Sequence, residues 1–387
     1  MTVVNNLHRK VTRVPFLELN SIHKSIESFV FKRLRDLYRN TEFVYGKTAK
    51  EFEINFAKYN ETRYAIAVDN GTTAVELALR ALGIKPGDEV ITVSNTFIAT
   101  VAGIHFTGAK PVFTEIDINT WNIDQDLIVS KITDKTRAIL PVHLYGQPCD
   151  MLKIRDVAKK YNLYLIGDSA QSIGSKIKEN GIWKNTSQFA DISAFSFYPG
   201  KNLGACGEAG AIATNNKKYA DYISMFRDHG SREKYIHEFV GRNNRIDAFQ
   251  AAILDIKLKY IDDWNIQRRE VAKWYYELLC DVEEIQLPTI LEGTRPVFHL
   301  FVILVNKRDE FQKYLSDHGI GTGLHYKIPV HLQKAFAHLG YKKGDLPITE
   351  SVVSRNVSLP MFPNLNYKQV KYVADIIKNY FAKKSCN

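Results

Sequence analysis

The sequence is poor in the features that would mark a secreted, metal-bound or membrane-embedded protein. Only four cysteines occur in 387 residues (Cys149, Cys206, Cys280 and Cys386), far apart, with no C-x-x-C pair and no histidine-rich stretch beside them. Free thiols in a reducing compartment are therefore expected, rather than a disulfide framework or a zinc site, and no metal is expected. No apolar run approaches the roughly 20 residues that a spanning helix needs. The stretch MTVVNNLHRKVTRVPFLELN lacks an apolar block followed by a small-residue cleavage site, so a cytoplasmic protein with no membrane association is expected. Neither GxGxxG nor GxxxxGKS/T occurs, which removes the dinucleotide fingerprint and the P-loop. No internal repeat or low-complexity segment is present. The formal net charge is +10, yet the basic residues are scattered in pairs such as Lys159-Lys160 and Lys342-Lys343 and form no long tract. The excess reads as solvated surface with a modest pull on anionic small molecules; no nucleic-acid partner is expected.

What is present is the composition of an ordinary globular chain, 45% hydrophobic and 24% charged, long enough for about two domains. Apolar spacing of three and four residues over 22–40 predicts an amphipathic helix. From AIAVDN onward short β-branched runs alternate with helical patterns. EVITV is followed by a helix over 98–106, KPVFTEI by one near 124–132, and RAILPVH by one over 150–161 before LYLIGD. That alternation predicts an α/β fold with a mostly parallel, doubly wound sheet. The stretch 246–280 has helical period with no Pro or Gly and reads as one long linking helix. VFHLFVILV (297–305) reads as a buried strand, followed by helices over 308–318 and 367–383. The expected organisation is a large N-terminal domain over 1–255 and a linking helix with a small C-terminal α+β domain over 256–387.

Polar residues gather at the carboxyl ends of the strands: Asn95 and Thr96, His143 and Tyr145, and Asp168. A single strand-end Asp is commonly an N-cap. Several polar ends on one crevice point to a site, because ligands bind there in open parallel sheets. In SAFSFYPGKNLGACGEAG, residues 193–210, an apolar run opens into a Pro/Gly turn, presents Lys201 and closes on a second glycine-rich turn. A lysine becomes a nucleophile when it is desolvated or set beside another cation; taken alone, Lys201 reads equally as one of many solvated lysines. In DNGTTAVELAL a strand enters a glycine turn and a helix start at Gly71, Thr72 and Thr73. This is a phosphate-binding layout, and also an ordinary capped helix.

Four stretches together decide between these readings: DNGTTAVELALRALGIKPGDEVITVSNTFIATVAGIHFTGAKPVFTEID, LPVHLYGQPCDM, IGDSAQSIGSK and SFYPGKNLGACGEAGAIAT. With GRNNRIDAFQAAI and HYKIPVHLQKAF they run in order over roughly residues 13–380. In these motifs the chain resembles the DegT/DnrJ/EryC1/StrS sugar aminotransferases, which use pyridoxal 5′-phosphate. The resemblance implies an aspartate aminotransferase-like (fold type I) large domain and a homodimer with shared active sites. It places Lys201 as the amine that bonds the cofactor aldehyde and moves protons, and Asp168 as the acid on the ring nitrogen. Gln171 is placed near the ring hydroxyl and Phe97 over one ring face. Gly71, Thr72, Thr73 and Ser196 are placed on the phosphate, joined by Asn243 from the neighbouring subunit.

The resemblance extends to the substrate. Four-position aminotransferases of the family commonly carry His-Pro before the lysine and GEGG after it; here Tyr198 and Ala209 stand in the departing positions. The implied reaction moves an amino group from L-glutamate to C3 of a dTDP-3-keto-6-deoxyhexose, giving a dTDP-3-amino-3,6-dideoxyhexose. The alternatives are a 4-aminotransferase on a dTDP- or UDP-linked 4-keto-6-deoxy sugar and a cofactor-binding regulator without turnover. Relatives that remove a hydroxyl carry histidine in place of the lysine, and this chain keeps Lys201. Candidate substrate residues are Tyr198, Lys234 and His237, with Arg232 beside them, and His325, Tyr326 and His331.

Overall fold

The computed structural model describes residues 11–385. Cys386 lies outside the described residues; Cys149, Cys206 and Cys280 are free thiols. Seven strands form the main sheet in the order Tyr64–Val68, Gly210–Thr214, Ile192–Ser196, Tyr164–Asp168, Thr136–Ile139, Glu89–Val93, Lys110–Thr114. Gly210–Thr214 runs antiparallel to both neighbours and the remaining pairs are parallel. The exception has a local cause. The strand Ile192–Ser196 returns through the loop 197–209 instead of a crossover helix, so the connection needs no change of sheet face. That loop carries Lys201 and lies at the carboxyl end of Ile192–Ser196, beside the end of Tyr164–Asp168.

The sheet is held from both sides. Gly71–Ala81 buries Ala74, Val75, Leu77 and Ala78 against one face, where they join Ile91, Ile139 and Ile166 in one apolar cluster. On the other face Phe52 and Phe56 meet the site strand edge-on: ring centroids lie 5.1 Å apart for Phe56–Phe195 and 5.2 Å for Phe56–Phe197. Each buried phenylalanine contributes about 1.5–3 kcal/mol by removal from water, and these two fix the strand that leads into Lys201. A second, antiparallel sheet orders Ile285–Gln286, Phe301–Val305 and Asn356–Leu359. Its own core includes Phe301, Ile303, Phe311, Val357, Val373 and Ile377. Among the described residues no helix is long and apolar enough to cross a membrane.

Three sequence expectations change. The helical stretch 246–280 is two helices, Ala248–Leu258 and Ile261–Leu279. The second restarts with Asp262 and Asp263 in its first turn, where acids complement the helix dipole. No α-helix forms near 124–132, only a short 3₁₀ turn over Val129–Lys131. The apolar run 297–305 is a strand only from Phe301. Before that, the Val297 N–H donates to Gly146 O and the Leu300 N–H to Tyr145 O, so the main sheet's loop captures the run and turns His299 toward the strand ends.

Candidate active site

The carboxyl ends of the parallel strands border a cavity of about 860 Å³, within the range of small-molecule sites. Its lining brings together Gly71, Thr72, Thr73, Phe97, Asp168, Gln171, Ser196, Tyr198, Lys201, His325 and Tyr326, drawn from five separate sequence segments.

At one end the helix Gly71–Ala81 presents its N-terminus. Asn70 caps it by accepting the Thr73 N–H at 2.8 Å, which leaves the Gly71 and Thr72 N–H groups and the threonine hydroxyls for an anion. Gly71 is required for space: a Cβ there would stand 2.6 Å from Ser196 Cβ, so the helix start and the strand end touch. Ser196 Oγ accepts the Tyr198 N–H at 3.3 Å, and its own O–H remains to donate.

In the middle lies Asp168. Its Oδ2 accepts from Thr100 Oγ1 at 2.7 Å and its Oδ1 from the Ala170 N–H at 3.1 Å. Burial raises this carboxyl above the ordinary value, against Thr100, the Ala170 N–H and the charge of Lys201. Lys201 responds in the opposite sense. Burial lowers its ammonium to about 8, and Asp168 opposes the fall. An amine so placed is partly neutral near physiological pH, which nucleophilic and proton-transfer chemistry requires.

The far wall is aromatic and neutral. Phe97 is 52% exposed although it stands on the cavity wall, with its ring 5.5 Å from that of Tyr326; an uncovered aromatic on a cavity is a free stacking surface. Gln171 accepts the Tyr145 N–H on Oε1 at 2.7 Å and donates from Nε2 to the Tyr326 hydroxyl at 2.9 Å. The Tyr326 O–H proton is thereby left for a ligand. Burial, then the charge of Asp168, raises its titration, so it stays a donor. His325 is lowered to about 4 by burial and then by Lys201, and it is neutral with Nδ1 against Ser358 Oγ at 2.8 Å.

Some expected residues fall elsewhere. His331 is buried between Ser94 Oγ, 2.7 Å from Nδ1, and Glu350 Oε1, 3.2 Å from Nε2, outside the cavity. Both ring nitrogens are engaged, so it braces the Ser94 strand end and does not face a ligand. Lys234 and His237 stand exposed on the hairpin of Ser231–Glu233 and Ile236–His237 and do not line their own chain's cavity, and Arg232 pairs with Glu238. Asn243 is likewise exposed, accepting from Arg245 Nε at 3.1 Å.

Sequence reading missed Phe16, Leu17, Thr100, Glu208, Arg242 and His299, all on the cavity. Thr100 carried a signal, because it sits one helical turn from the strand-end Thr96, and the two hydroxyls are 2.7 Å apart. His299 carried none, being hidden inside an apolar run.

The chain as a whole matches known proteins. Residues 24–378 match the DegT/DnrJ/EryC1/StrS aminotransferase family. The chain is 43% identical over 367 residues to the dTDP-3-amino-3,6-dideoxy-alpha-D-galactopyranose transaminase of Aneurinibacillus thermoaerophilus, covering 95% of this chain and 99% of that protein. It is 41% identical over 370 residues to a pleiotropic regulatory protein of Geobacillus stearothermophilus, covering 95% and 98%. Its structure superposes on the crystal structure of S. venezuelae DesV in complex with a ketimine intermediate with a TM-score of 0.92 at 39% identity, over 96% of this chain and 99% of that one.

Proposed function

Because this chain belongs to the DegT/DnrJ/EryC1/StrS aminotransferase family, we propose that it is a pyridoxal-phosphate-dependent nucleotide-sugar aminotransferase. It moves the amino group of L-glutamate to C3 of a dTDP-3-keto-6-deoxyhexose. The observation that carries the reading is the pairing of a lysine lowered to about 8 with a buried carboxylate on one cavity, beside a helix N-terminus open to an anion.

The residues fit the cofactor. Gly71, Thr72, Thr73 and Ser196 would hold its phosphate, and Phe97 would cover one ring face. Asp168 would hold a proton on the ring nitrogen, and Gln171 would face the ring hydroxyl. When bound, the cofactor supplies an aldehyde for the amine and a ring that draws electron density from the amine-bearing carbon. Lys201 would provide the attachment and, once released and neutral, would carry the proton from the glutamate α-carbon to the carbon that bore the cofactor's aldehyde oxygen. In the second half-reaction the same lysine moves a proton at C3 of the sugar, so the kinetics are ping-pong. Asn243 of the partner subunit completes the phosphate cup in a homodimer, in keeping with its exposure and its place outside its own chain's cavity.

The neutral wall supports an uncharged deoxyhexose. The described cavity lining of one chain has two cationic side chains, Lys201 and Arg242, and Arg242 is paired with Glu76 at 2.9 Å. Tyr198, His325 and Tyr326 supply hydrogen bonds to sugar hydroxyls.

The test supplies the protein with glutamate and each keto-sugar nucleotide and locates the new amine by NMR. Nitrogen at C3 of the dTDP sugar is expected; nitrogen at C4, or a UDP sugar as the preferred acceptor, sinks the assignment. A binding-only regulator, in line with the name of the G. stearothermophilus relative, would load cofactor on Lys201 yet never convert it to the amine form with glutamate.

A further inference from the structure

His143 stands at a strand end beside Asp168 but does not line the cavity; it is buried in the interior. The Cys149 N–H donates to His143 Nδ1 at 3.1 Å. A main-chain amide can only donate, so Nδ1 holds the lone pair and the ring proton of the neutral imidazole stands on Nε2. Burial lowers the ring to about 4 and keeps it neutral. That Nε2–H has no hydrogen-bond partner among the described residues, and neither have the hydroxyls of Ser169 and Ser193. All three residues are fully buried.

The three atoms face one point. In the sheet Gly167 pairs with Ser193 on one side, and on the other the His143 N–H donates to Asp168 O at 3.1 Å. A Cβ built on Gly167 would have as its three nearest atoms Ser193 Oγ at 3.2 Å, His143 Nε2 at 3.5 Å and Ser169 Oγ at 3.6 Å. Residues two apart on a strand share a face, so Gly167 and Ser169 look the same way, and glycine leaves the room that a side chain would take. The groups around that room decide what suits it. A cation would meet the Nε2–H, which cannot accept. An anion would set a second buried negative charge within one residue of Asp168, with no cation among the three groups. A neutral molecule that both accepts and donates can meet all three.

We propose that His143, Ser169 and Ser193 bind one water molecule over the Cα of Gly167. The water accepts the His143 Nε2–H, and the serine hydroxyls, which rotate, meet its remaining donors and lone pair. None of the four residues lines the cavity, so the site is separate from the one described above and independent of the reaction assigned to it. It joins three neighbouring chain segments: the one that follows Thr136–Ile139, the end of Tyr164–Asp168, and the strand Ile192–Ser196 that leads to the Lys201 loop. A buried water with three polar partners is part of the fold and costly to remove.

The test is an atomic-resolution crystal structure of the cofactor-bound protein, with crystals grown once in chloride and once in bromide. One peak within hydrogen-bonding reach of all three atoms, without anomalous signal in bromide, is expected. A bromide signal there makes the occupant an anion and overturns the proposal, as do three side chains bonded directly to one another with no peak between them. Gly167→Ala puts a methyl group on the site. Alanine at a strand position with nothing to displace stabilises through the unfolded chain, whereas displacing the water leaves three buried groups unpaired. The unfolding constant from denaturant melts is therefore expected to rise by about tenfold or more. Adding Ser193→Ala removes the 3.2 Å contact but not the stranded His143 Nε2–H, so the loss is expected to persist. Recovery to wild-type stability, or a Gly167→Ala protein as stable as wild type, overturns the proposal. Should the variants not fold, the wild-type crystals decide.

Discussion

Replacing Asp168 by asparagine removes one charge and can keep both hydrogen bonds. Thr100 donates to Asp168 Oδ2 at 2.7 Å, and Thr100 Oγ1 lies 2.7 Å from Thr96 Oγ1, where either hydroxyl can donate. The pair can therefore reverse, with Thr100 accepting from the new amide and donating to Thr96, while the Ala170 N–H still meets Oδ1. The charge term has a definite sign. Burial raises the Asp168 carboxyl above its ordinary 3.8. A carboxyl with a raised folded value contributes stability that is present below 3.8 and is lost as pH rises through the folded value. At neutral pH the ionised side chain therefore burdens the cofactor-free fold, and Asp168→Asn should unfold no earlier than wild type. With its hydrogen bonds kept, it should lose less than about 1 kcal/mol on that account, and its advantage should shrink as pH falls. Function moves the other way. Without the carboxylate the ring nitrogen loses its proton-holding partner, and amine transfer should drop by about 10²–10⁴, the usual size of a lost proton-handling group. Thermal unfolding of cofactor-free protein across pH, with single-turnover conversion by glutamate, measures both. A variant less stable than wild type by more than about 2 kcal/mol, or one that transfers the amine within about threefold of wild type, refutes the reasoning.

Lys201→Met should flatten an alkaline trend. The lysine is lowered from 10.5 to about 8, so the unfolded chain binds the extra proton between those values. Wild-type stability should therefore rise with pH across that window, by about 3 kcal/mol at most, and pH-resolved denaturant melts should show no such rise in the variant. Gln171→Leu strands the Tyr145 N–H and loosens the Tyr326 hydroxyl; about 1–3 kcal/mol of stability should go, and KM for the sugar nucleotide should rise, checked by melts and steady-state rates. Gly71→Ala drives a Cβ into Ser196, so cofactor affinity, titrated by visible absorbance, should fall by about tenfold or more. Mixing Lys201→Ala with Asn243→Ala protein should restore activity through hybrid dimers holding one intact site; mixtures as inactive as the separate variants would exclude a shared site.

The parallel strands and the helices between them were legible because short β-branched runs and three-to-four spacing are local signals. The residues at the strand ends were legible for a related reason. Once the strands are parallel, their carboxyl ends must share one edge, and Asp168 and the strand end that mounts Lys201 converge there, whereas Ser196 is placed only by the family resemblance. His331 shows where this stops. Its ring is engaged by Ser94, 237 positions away, and by Glu350, 19 away. Nothing in the local sequence separates a histidine clamped in this way from one facing a ligand. The linking stretch 246–280 fails differently. With no Pro or Gly its period continues, while the break at Lys259 and Tyr260 separates a helix that contacts Asn20–Arg39 and Gly46–Tyr59 from one that contacts Tyr367–Ser385.

His299 combines both limits and shows how the site exceeds its motif. Read along the chain it is one polar position in an apolar run, which alternation would place on a strand face. The run instead docks first on Gly146 and Tyr145, and only afterwards enters the second sheet at Phe301. That detour places an imidazole from the C-terminal segment on the cavity of an amine from the N-terminal one, with Asn202 joining them. Lys201 and Asn202 are adjacent in sequence but serve opposite networks, one open to the cavity and the other buried with Asn265. A substitution at Asn202 should therefore cost fold stability, because it strands Asn265 Oδ1 and frees His299 Nδ1 from its partner.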